Sequence, residues 1–374
     1  MEYVNIMKIF VTGVHSTPAF AVIDELLSRH EYEIYYLGQK HTMLWNDNLS
    51  AEYNVALSKN ITFINFFAGK LSKGLSLSSF IWWIRIPFGY IQSIYLLLKL
   101  KPKIIVTFGA HIGVPIAMVG YLLKIPVIIH EQTIIETRST KAIRSFSNNI
   151  CYSWKQLGTQ YKSSKYIFTG NPIRKEVFED NTNIEFSNTQ KKTVFIFCGN
   201  QGSHSINQIL LQALGNLTLS YNVIVQTGNN AFNDYESMVV LAKELNIQEC
   251  KVIIKDYIYP SEIGSYYNKA DIIVCRAGIN SITEIAALGK IALIVPHPFT
   301  AGNEQILNAQ MLKNMGIAEI ILQKDLSKEL LIKTIDHMFL GYDKYQINIK
   351  DAKLLIKRNA EIEIADIIEK YLYY

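Results

Sequence analysis

Short β-branched runs alternate with segments of helical spacing along nearly the whole chain. Lys8–Thr12, Glu33–Leu37, Ile61–Phe66, Ile104–Phe108 and Val127–His130 have the length and residue types of strands. The same signal returns at Val194–Cys198, Val223–Gln226, Val252–Lys255, Ile272–Cys275 and Ile291–Val295. Between these runs apolar residues recur at helical intervals, as at Ala21, Val22 and Leu26 after Pro18, or at Ile206, Ile209, Leu210 and Leu214. Strands apolar at every position, not at alternate ones, are buried on both faces. Alternating with helices, they predict parallel sheets covered on both sides.

The pattern restarts once. After the polar stretch Asn181–Lys192 a new strand begins near Val194 and leads through a glycine-containing turn into a helix, as the chain did after Lys8. This predicts two Rossmann-like doubly wound α/β domains joined near Gly170–Arg174. Residues 1–172 form the first domain and residues 173–352 the second, and a last helix (within 353–374, about Ile356–Tyr373) packs back on the first. Ligands of such sheets sit beyond the carboxyl ends of the strands, so the expected site is a cleft between the domains.

One window is oilier than a helix covering a sheet requires. Phe80–Leu100 contains Trp82, Trp83, Phe88, Tyr90 and Tyr95 among isoleucines and leucines. It is about long enough to cross a bilayer, but Arg85 lies inside it and Pro87 and Gly89 interrupt it. Its aromatic residues, with Lys70, Lys73, Lys99, Lys101 and Lys103 around them, fit a contact lying in the membrane interface. An ordinary core helix with an aromatic stripe remains the alternative reading.

Charge adds an asymmetry. Residues 1–170 hold 17 Lys and Arg against 9 Asp and Glu, whereas residues 171–374 hold 20 against 23. The basic half is suited to an anionic partner, either an acidic bilayer surface or nucleic acid. With 49% hydrophobic and 18% charged residues the chain is globular in type. Cys151, Cys198, Cys250 and Cys275 are far apart and form no C-x-x-C pair, which argues against a zinc site or a disulfide framework. Ile9–Val11 is too short for the apolar core of a signal peptide, so the expected compartment is the cytoplasm.

Four turns carry candidate chemistry. In Thr12-Gly13-Val14-His15-Ser16-Thr17-Pro18 a strand ends at a glycine, and Thr17 with Pro18 offers a helix cap and a first helical position. His15 there is either a base for an attacking hydroxyl or a cap of the turn. Cys198-Gly199-Asn200-Gln201-Gly202-Ser203-His204 is a Gly-x-x-Gly turn suited to a pyrophosphate at a helix start. No acidic residue ends the next strand, Val223–Gln226, which weighs against a nicotinamide dehydrogenase. In Arg276-Ala277-Gly278-Ile279-Asn280-Ser281-Ile282-Thr283-Glu284, Asn280 or Ser281 can cap a helix. Glu284, expected in its first turn, can accept two ribose hydroxyls or act as a capping carboxylate. The loop Pro296–Gln305 is rich in amide and carboxyl groups, and Asn303 and Gln305 could read sugar hydroxyls.

Taken in order, these stretches resemble glycosyltransferase family 28, in particular its MurG branch. Arg276-Ala277-Gly278…Glu284 followed by Asn303-Glu304-Gln305…Asn308-Ala309 looks like the family's UDP-sugar signature. Ile125-Pro126-Val127-Ile128-Ile129-His130-Glu131-Gln132 resembles "iPvvihEqN", Gly170-Asn171-Pro172-Ile173-Arg174 resembles "GNPvR", and Gly199-Asn200-Gln201-Gly202 resembles "GGSQG". The likeness threads residues 7 to 370. It implies a GT-B fold and inverting transfer of GlcNAc from UDP-GlcNAc to a lipid-pyrophosphate-linked sugar, most specifically undecaprenyl-pyrophosphoryl-MurNAc-pentapeptide, in peptidoglycan precursor synthesis. It further implies no bound metal or cofactor, no nucleic-acid partner, and a peripheral place on the cytoplasmic membrane face against anionic lipids.

By the same resemblance UDP-GlcNAc is held by Arg174, Asn200, Gln201, Gly202, Arg276, Gly278, Ser281, Glu284, Asn303, Glu304 and Gln305. The acceptor is held by Gly13, Ser16, Thr17, His130, Glu131, Gln132 and Thr133, with His15 as the base. Departures gather on the acceptor side. Val14 stands for a glycine of the family's "GxGGH", Thr133 for the Asn after "hEq", and Glu136–Thr140 lacks the family's glycine and Asn. On the donor side Asn200 replaces a serine. A UDP-GlcNAc 2-epimerase, a transferase for another lipid-linked acceptor, and a sugar-nucleotide-binding protein without turnover are the competing readings.

Overall fold

The computed structural model describes residues 6–13, 16–41, 49–69, 77–158, 163–199, 201–247 and 251–373. The chain divides into two compact units: residues 1–174 with 357–374, and residues 175–356.

In the first unit seven parallel strands form one sheet. In chain order its elements are β1 (Met7–Thr12), α1 (Ser16–Arg29), β2 (Tyr32–Gly38), α2 (Ala51–Ser58), β3 (Thr62–Asn65), α3 (Leu77–Leu100) and β4 (Ile104–Thr107). There follow α4 (Gly113–Leu122), β5 (Val127–Glu131), α5 (Arg138–Ile143), β6 (Asn149–Tyr152), α6 (Lys155–Gly158) and β7 (Tyr166–Phe168). The strand order is β3-β2-β1-β4-β5-β6-β7, so the order reverses beside β1, where β4 pairs with it. β6 and β7 were not read from the sequence. β6 has only Ile150 and Cys151 between Asn149 and Tyr152, and β7 is three residues long, so neither shows an apolar run.

Each face of this sheet has its own core. Ile9, Val11, Tyr36, Ile104 and Val106 pack with α1 and the C-terminal helix Ala360–Tyr373. Phe10, Leu37, Ile105 and Ile129 pack with Leu96 and Leu97 of α3 and Ile116 of α4. The C-terminal helix is fastened to α1 by Arg29, whose guanidinium lies 2.7 Å from Asp366 and 2.8 Å from Glu369.

α3 runs unbroken through Pro87 and Gly89, where interruptions were expected. Proline removes one helical hydrogen bond, but close packing holds the segment. A Cβ on Gly89 would stand 3.3 Å from the Phe67 carbonyl and 3.4 Å from Pro115. One face carries Leu96 and Leu97 into the core, while Phe80, Ile84, Phe88, Ile91, Tyr95 and Leu98 are exposed at helical spacing on another. Arg85 is half-buried over the rings of Phe67 and Trp82, at 5.3 and 5.4 Å from their centroids. No helix among the described residues is long and apolar enough to cross a membrane.

The second unit holds a six-stranded parallel sheet of order β10-β9-β8-β11-β12-β13. Its elements are β8 (Thr193–Phe197), α7 (His204–Ser220), β9 (Asn222–Gln226), α8 (Asp234–Glu244), β10 (Val252–Lys255), α9 (Ile263–Lys269) and β11 (Ile272–Cys275). They continue with α10 (Ile279–Leu288), β12 (Ile291–Ile294), α11 (Glu304–Asn314), β13 (Ala318–Ile320), α12 (Lys328–Leu340) and α13 (Tyr342–Leu355). β13, three residues long, also escaped the sequence pattern. Val194, Val223, Val274 and Leu293 pack with Leu210, Leu214 and Leu217 of α7 and with Ile335 of α12.

Candidate active site

In both units the sequence-marked turns lie beyond the carboxyl ends of central strands. In the second unit β8 leads into Gly199–Gly202. Gly199 and Gly202 both take left-handed backbone angles, φ 73° and 67°, and the Gly202 amide donates to the Gly199 carbonyl at 3.1 Å. Nothing lies within 4 Å of where a Gly199 side chain would stand. The turn opens onto the start of α7, where the first backbone N–H groups have no helical acceptors and favour an anion. Gln201 is exposed there, and Asn200 lies outside the described residues.

Beside it, Arg276 follows β11. Its guanidinium donates to the Val295 carbonyl (3.1 Å), Ser203 Oγ (2.7 Å), Ser205 Oγ (2.9 Å) and Gln323 Oε1 (2.6 Å). Burial lowers its pKa from the ordinary arginine value. The side chain expected to touch the donor is thus engaged with its own unit, and ties the start of α7 to the ends of β11 and β12. Ser203, Ser205 and Gln323 were not singled out in the sequence, because nothing local marks them as partners of a residue some 47 to 73 positions away.

The helix after Arg276 differs from expectation. Gly278, not Asn280 or Ser281, occupies the cap position of α10 with extended angles and makes no side-chain cap bond. Glu284 is consequently the sixth residue of α10, in its second turn. Nothing lies within 4 Å of a Cβ built on Gly278, so the helix start is open above it. Ser281 is half-buried in the first turn. Glu284 is 3% exposed, and the Tyr267 hydroxyl donates to its Oε2 at 2.8 Å. Tyr267 orients the carboxylate from α9, a partnership no sequence spacing displays.

The loop from β12 to α11 is held by its own side chains. Gln305 Oε1 accepts the His297 amide at 2.8 Å, and the Gln305 amide donates to Thr300 Oγ1 at 3.3 Å. Gly302 and Asn303 are both left-handed, φ 65° and 55°, which leaves Asn303 exposed and Glu304 as the first residue of α11. Asn308, fully buried, donates to the Ala277 carbonyl at 3.0 Å and joins α11 to the turn before α10. Its Oδ1 has no hydrogen-bond partner among the described residues.

The first unit presents a different picture. Gly13 follows β1; a Cβ there would meet Phe108 Cβ at 2.9 Å, and the Tyr36 hydroxyl donates to the Gly13 carbonyl at 2.9 Å. His15, the expected base, lies outside the described residues, as does Val14. α1 begins at Ser16, so Thr17 is inside its first turn and Pro18 is its third residue, two positions later than expected.

At the end of β5, His130, Glu131, Gln132 and Thr133 are 1, 2, 3 and 5% exposed. His130 Nε2 is 3.1 Å from the Gly170 carbonyl and 3.2 Å from Ser153 Oγ, and burial lowers its pKa to about 4. The neutral ring with hydrogen on Nε2 satisfies the carbonyl. Glu131 Oε1 accepts the Thr133 amide (3.1 Å) and hydroxyl (2.7 Å), and Oε2 accepts the Thr137 amide (2.9 Å) and hydroxyl (2.8 Å). The Gln132 carbonyl accepts Trp154 Nε1–H at 2.9 Å. These residues, expected to touch the acceptor, fold the loop after β5. Arg174 is half-buried at the end of this unit, and Gly170, at φ 86°, packs against Lys357.

Residues 12–152 match the glycosyltransferase family 28 N-terminal domain, and residues 193–366 the family 28 C-terminal domain. A relative from Caldicellulosiruptor saccharolyticus, named UDP-N-acetylglucosamine--N-acetylmuramyl-(pentapeptide) pyrophosphoryl-undecaprenol N-acetylglucosamine transferase, is 30% identical over 96% of both chains. The chain belongs to glycosyltransferase family 28. A protein of the same name from Sulfurihydrogenibium sp. is 26% identical over 97% of this chain and 96% of its own. Among solved structures, MurG from Acinetobacter baumannii superposes with a TM-score of 0.71 at 20% identity, over 97% of this chain and 99% of that one. A UDP-GlcNAc 2-epimerase from Neisseria meningitidis bound to UDP-GlcNAc gives 0.63 at 16%, over 97% and 100%. The two parallel-sheet domains of this family 28 chain are therefore those of the GT-B fold, which transferases and epimerases share.

Proposed function

We propose that this chain transfers GlcNAc from UDP-GlcNAc, with inversion, to undecaprenyl-pyrophosphoryl-MurNAc-pentapeptide, completing the lipid-linked peptidoglycan precursor. The observation that carries the reading is full-length likeness: both family 28 domains match, and relatives bearing that transferase name align over nearly all of both chains. The second unit supplies the donor site. The open backbone at Gly199 and Gly278 and the amides at the starts of α7 and α10 receive the diphosphate, and Glu284, oriented by Tyr267, accepts the ribose hydroxyls.

In the reaction an acceptor hydroxyl oxygen bonds to the anomeric carbon as the bond from that carbon to the β-phosphate oxygen breaks. UDP departs with the electron pair, and the hydroxyl proton passes to a base. By the family resemblance His15, which follows the β1 segment in the sequence, is the residue for this role. His15→Ala lowers kcat by about 10²-fold while UDP affinity is retained; near-normal turnover removes His15 from the mechanism.

The exposed apolar face of α3, on the more basic half of the chain, is the surface for the cytoplasmic leaflet, with the exposed Lys101 and Lys103 after the helix available to anionic headgroups. The decisive assay incubates the protein with radiolabelled UDP-GlcNAc and the lipid-linked MurNAc-pentapeptide. Label in the lipid phase is the expected result. ManNAc released without acceptor would instead make the chain an epimerase.

A further inference from the structure

A buried carboxylate outside the residues assigned above joins three pieces of the second unit. Asp234, the first residue of α8, is 2% exposed. Its Oδ1 lies 2.8 Å from His204 Nδ1, and its Oδ2 accepts Asn207 Nδ2 at 2.7 Å and Asn230 Nδ2 at 3.1 Å. His204 and Asn207 belong to the first turn of α7, and Asn230 to the loop after β9. Both asparagines also reach the Thr227 carbonyl, at 2.9 and 3.4 Å. The His204 ring stacks on Phe232 with centroids 4.0 Å apart.

The loop gripped in this way is the one that presses on the Gly199–Gly202 turn. A Cβ on Gly202 would lie 1.7 Å from the Thr227 carbonyl oxygen, and one on Gly228 would lie 2.1 Å from the Gly202 nitrogen. Both glycines are left-handed, φ 67° and 83°. The backbones touch, so the position of residues 227–228 sets that of Gly202. Arg276 holds the other side of the same helix start through Ser203 and Ser205. The first turn of α7 is therefore gripped from both flanks, by a cation on the β11 side and by an anion on the β9 side.

We infer that Asp234 is a positioning residue for the nucleoside-diphosphate site: through His204, Asn207 and Asn230 it holds the Gly199–Gly202 turn and the α7 amides in the arrangement that receives the diphosphate. The inference rests on the donor-site reading above. It assigns Asp234 no contact with substrate. A loosened turn costs binding to ground state and transition state alike, so the loss appears in KM and not in kcat.

Asp234→Asn tests this with little change of shape, since an amide nitrogen cannot accept from the groups now facing a carboxylate oxygen. UDP binding by calorimetry weakens about tenfold, KM for UDP-GlcNAc rises in step, and kcat stays within about twofold. KM for the lipid-linked acceptor is unchanged, and hydrogen exchange over residues 201–207 quickens without ligand. A residue important only for folding would lower the melting temperature without moving the UDP affinity measured well below it. Should D234N fail to fold, His204→Ala decides, because it leaves both asparagine bonds: UDP affinity falls about threefold and the same amides exchange faster. Wild type that binds UDP, with the folded variant within twofold of it, overturns the positioning role alone. Wild type that binds no UDP overturns the donor-site reading and this inference together.

Discussion

The turns beyond β8 and β11 in the second unit and the loop beyond β5 in the first are both built from family motifs, yet they use their residues in opposite ways. Around Gly199 and Gly278 the backbone is open, with nothing where a side chain would stand, and the side chains nearby brace it. After β5 the marked side chains are themselves buried: the Glu131 carboxylate accepts four hydrogen bonds within its loop, and His130 supports the Gly170 carbonyl. A motif can thus describe a surface that meets ligand or a scaffold that shapes one. The difference follows from where hydrogen-bonding capacity is spent. Buried polar groups must be paired within the protein, whereas amides at an open helix start remain for an anion.

The sharpest way to break this contrast is by pH, because two groups with opposed shifts lie in the first unit. Burial lowers the pKa of His130 from 6.5 to about 4, so between those values the unfolded chain takes up a proton that the folded chain refuses. Its contribution to stability is whole above pH 6.5 and declines as pH falls toward 4. Glu52 in α2 is shifted upward by burial, from 4.5 to about 7. Here the folded chain holds the extra proton, and stability declines as pH rises from 4.5 to 7. Each shift corresponds to about 3 kcal/mol at most, and the two offset one another in the wild type. Glu52→Gln therefore exposes a stability that rises with pH across 4–6.5, read from denaturant midpoints. His130→Gln exposes the opposite slope. Parallel profiles in wild type and both variants would contradict the burial argument.

On the donor side the comparison is sharpened by Glu284→Ala, which weakens UDP by about 2 kcal/mol through loss of charged hydrogen bonds. Tyr267→Phe, removing only the hydroxyl that orients the carboxylate, weakens it by about 1 kcal/mol. Calorimetry that finds unchanged UDP affinity in both would remove ribose recognition from α10.

The last test concerns α3. Ile91 is 62% exposed on the apolar face, and Ile91→Glu lowers flotation with anionic liposomes by about tenfold at low salt. UDP affinity does not move, since the substitution lies in the other unit. Wild-type protein that fails to float at low salt would leave α3 without its lipid role.

Much of the fold was legible in sequence because it is written locally. β10 and β11 fall on the expected residues, Val252–Lys255 and Ile272–Cys275, and the other strands read from the sequence differ by at most one residue at either end. Continuous apolar runs between turn residues identify buried parallel strands. The short strands β6, β7 and β13 carry no such signal and form because a neighbouring strand offers its edge. α3 continues through Pro87 for a similar reason: its packing against Phe67 and Pro115 outweighs one lost hydrogen bond.

For the candidate site the division is sharper. Where the turns lie, their glycines, and the residue types suited to a sugar nucleotide are local properties, because turn chemistry depends on neighbours a few positions apart. Which side chains remain for a ligand is settled by long-range packing. Arg276 spends its hydrogen bonds on Ser203, Ser205, Val295 and Gln323, Glu284 is aimed by Tyr267, and Asp234 gathers His204, Asn207 and Asn230. Most of these pairs are 17 to 73 residues apart. No local rule sets such a pairing; it follows from strands placed side by side and from the cost of burying a polar group without a partner.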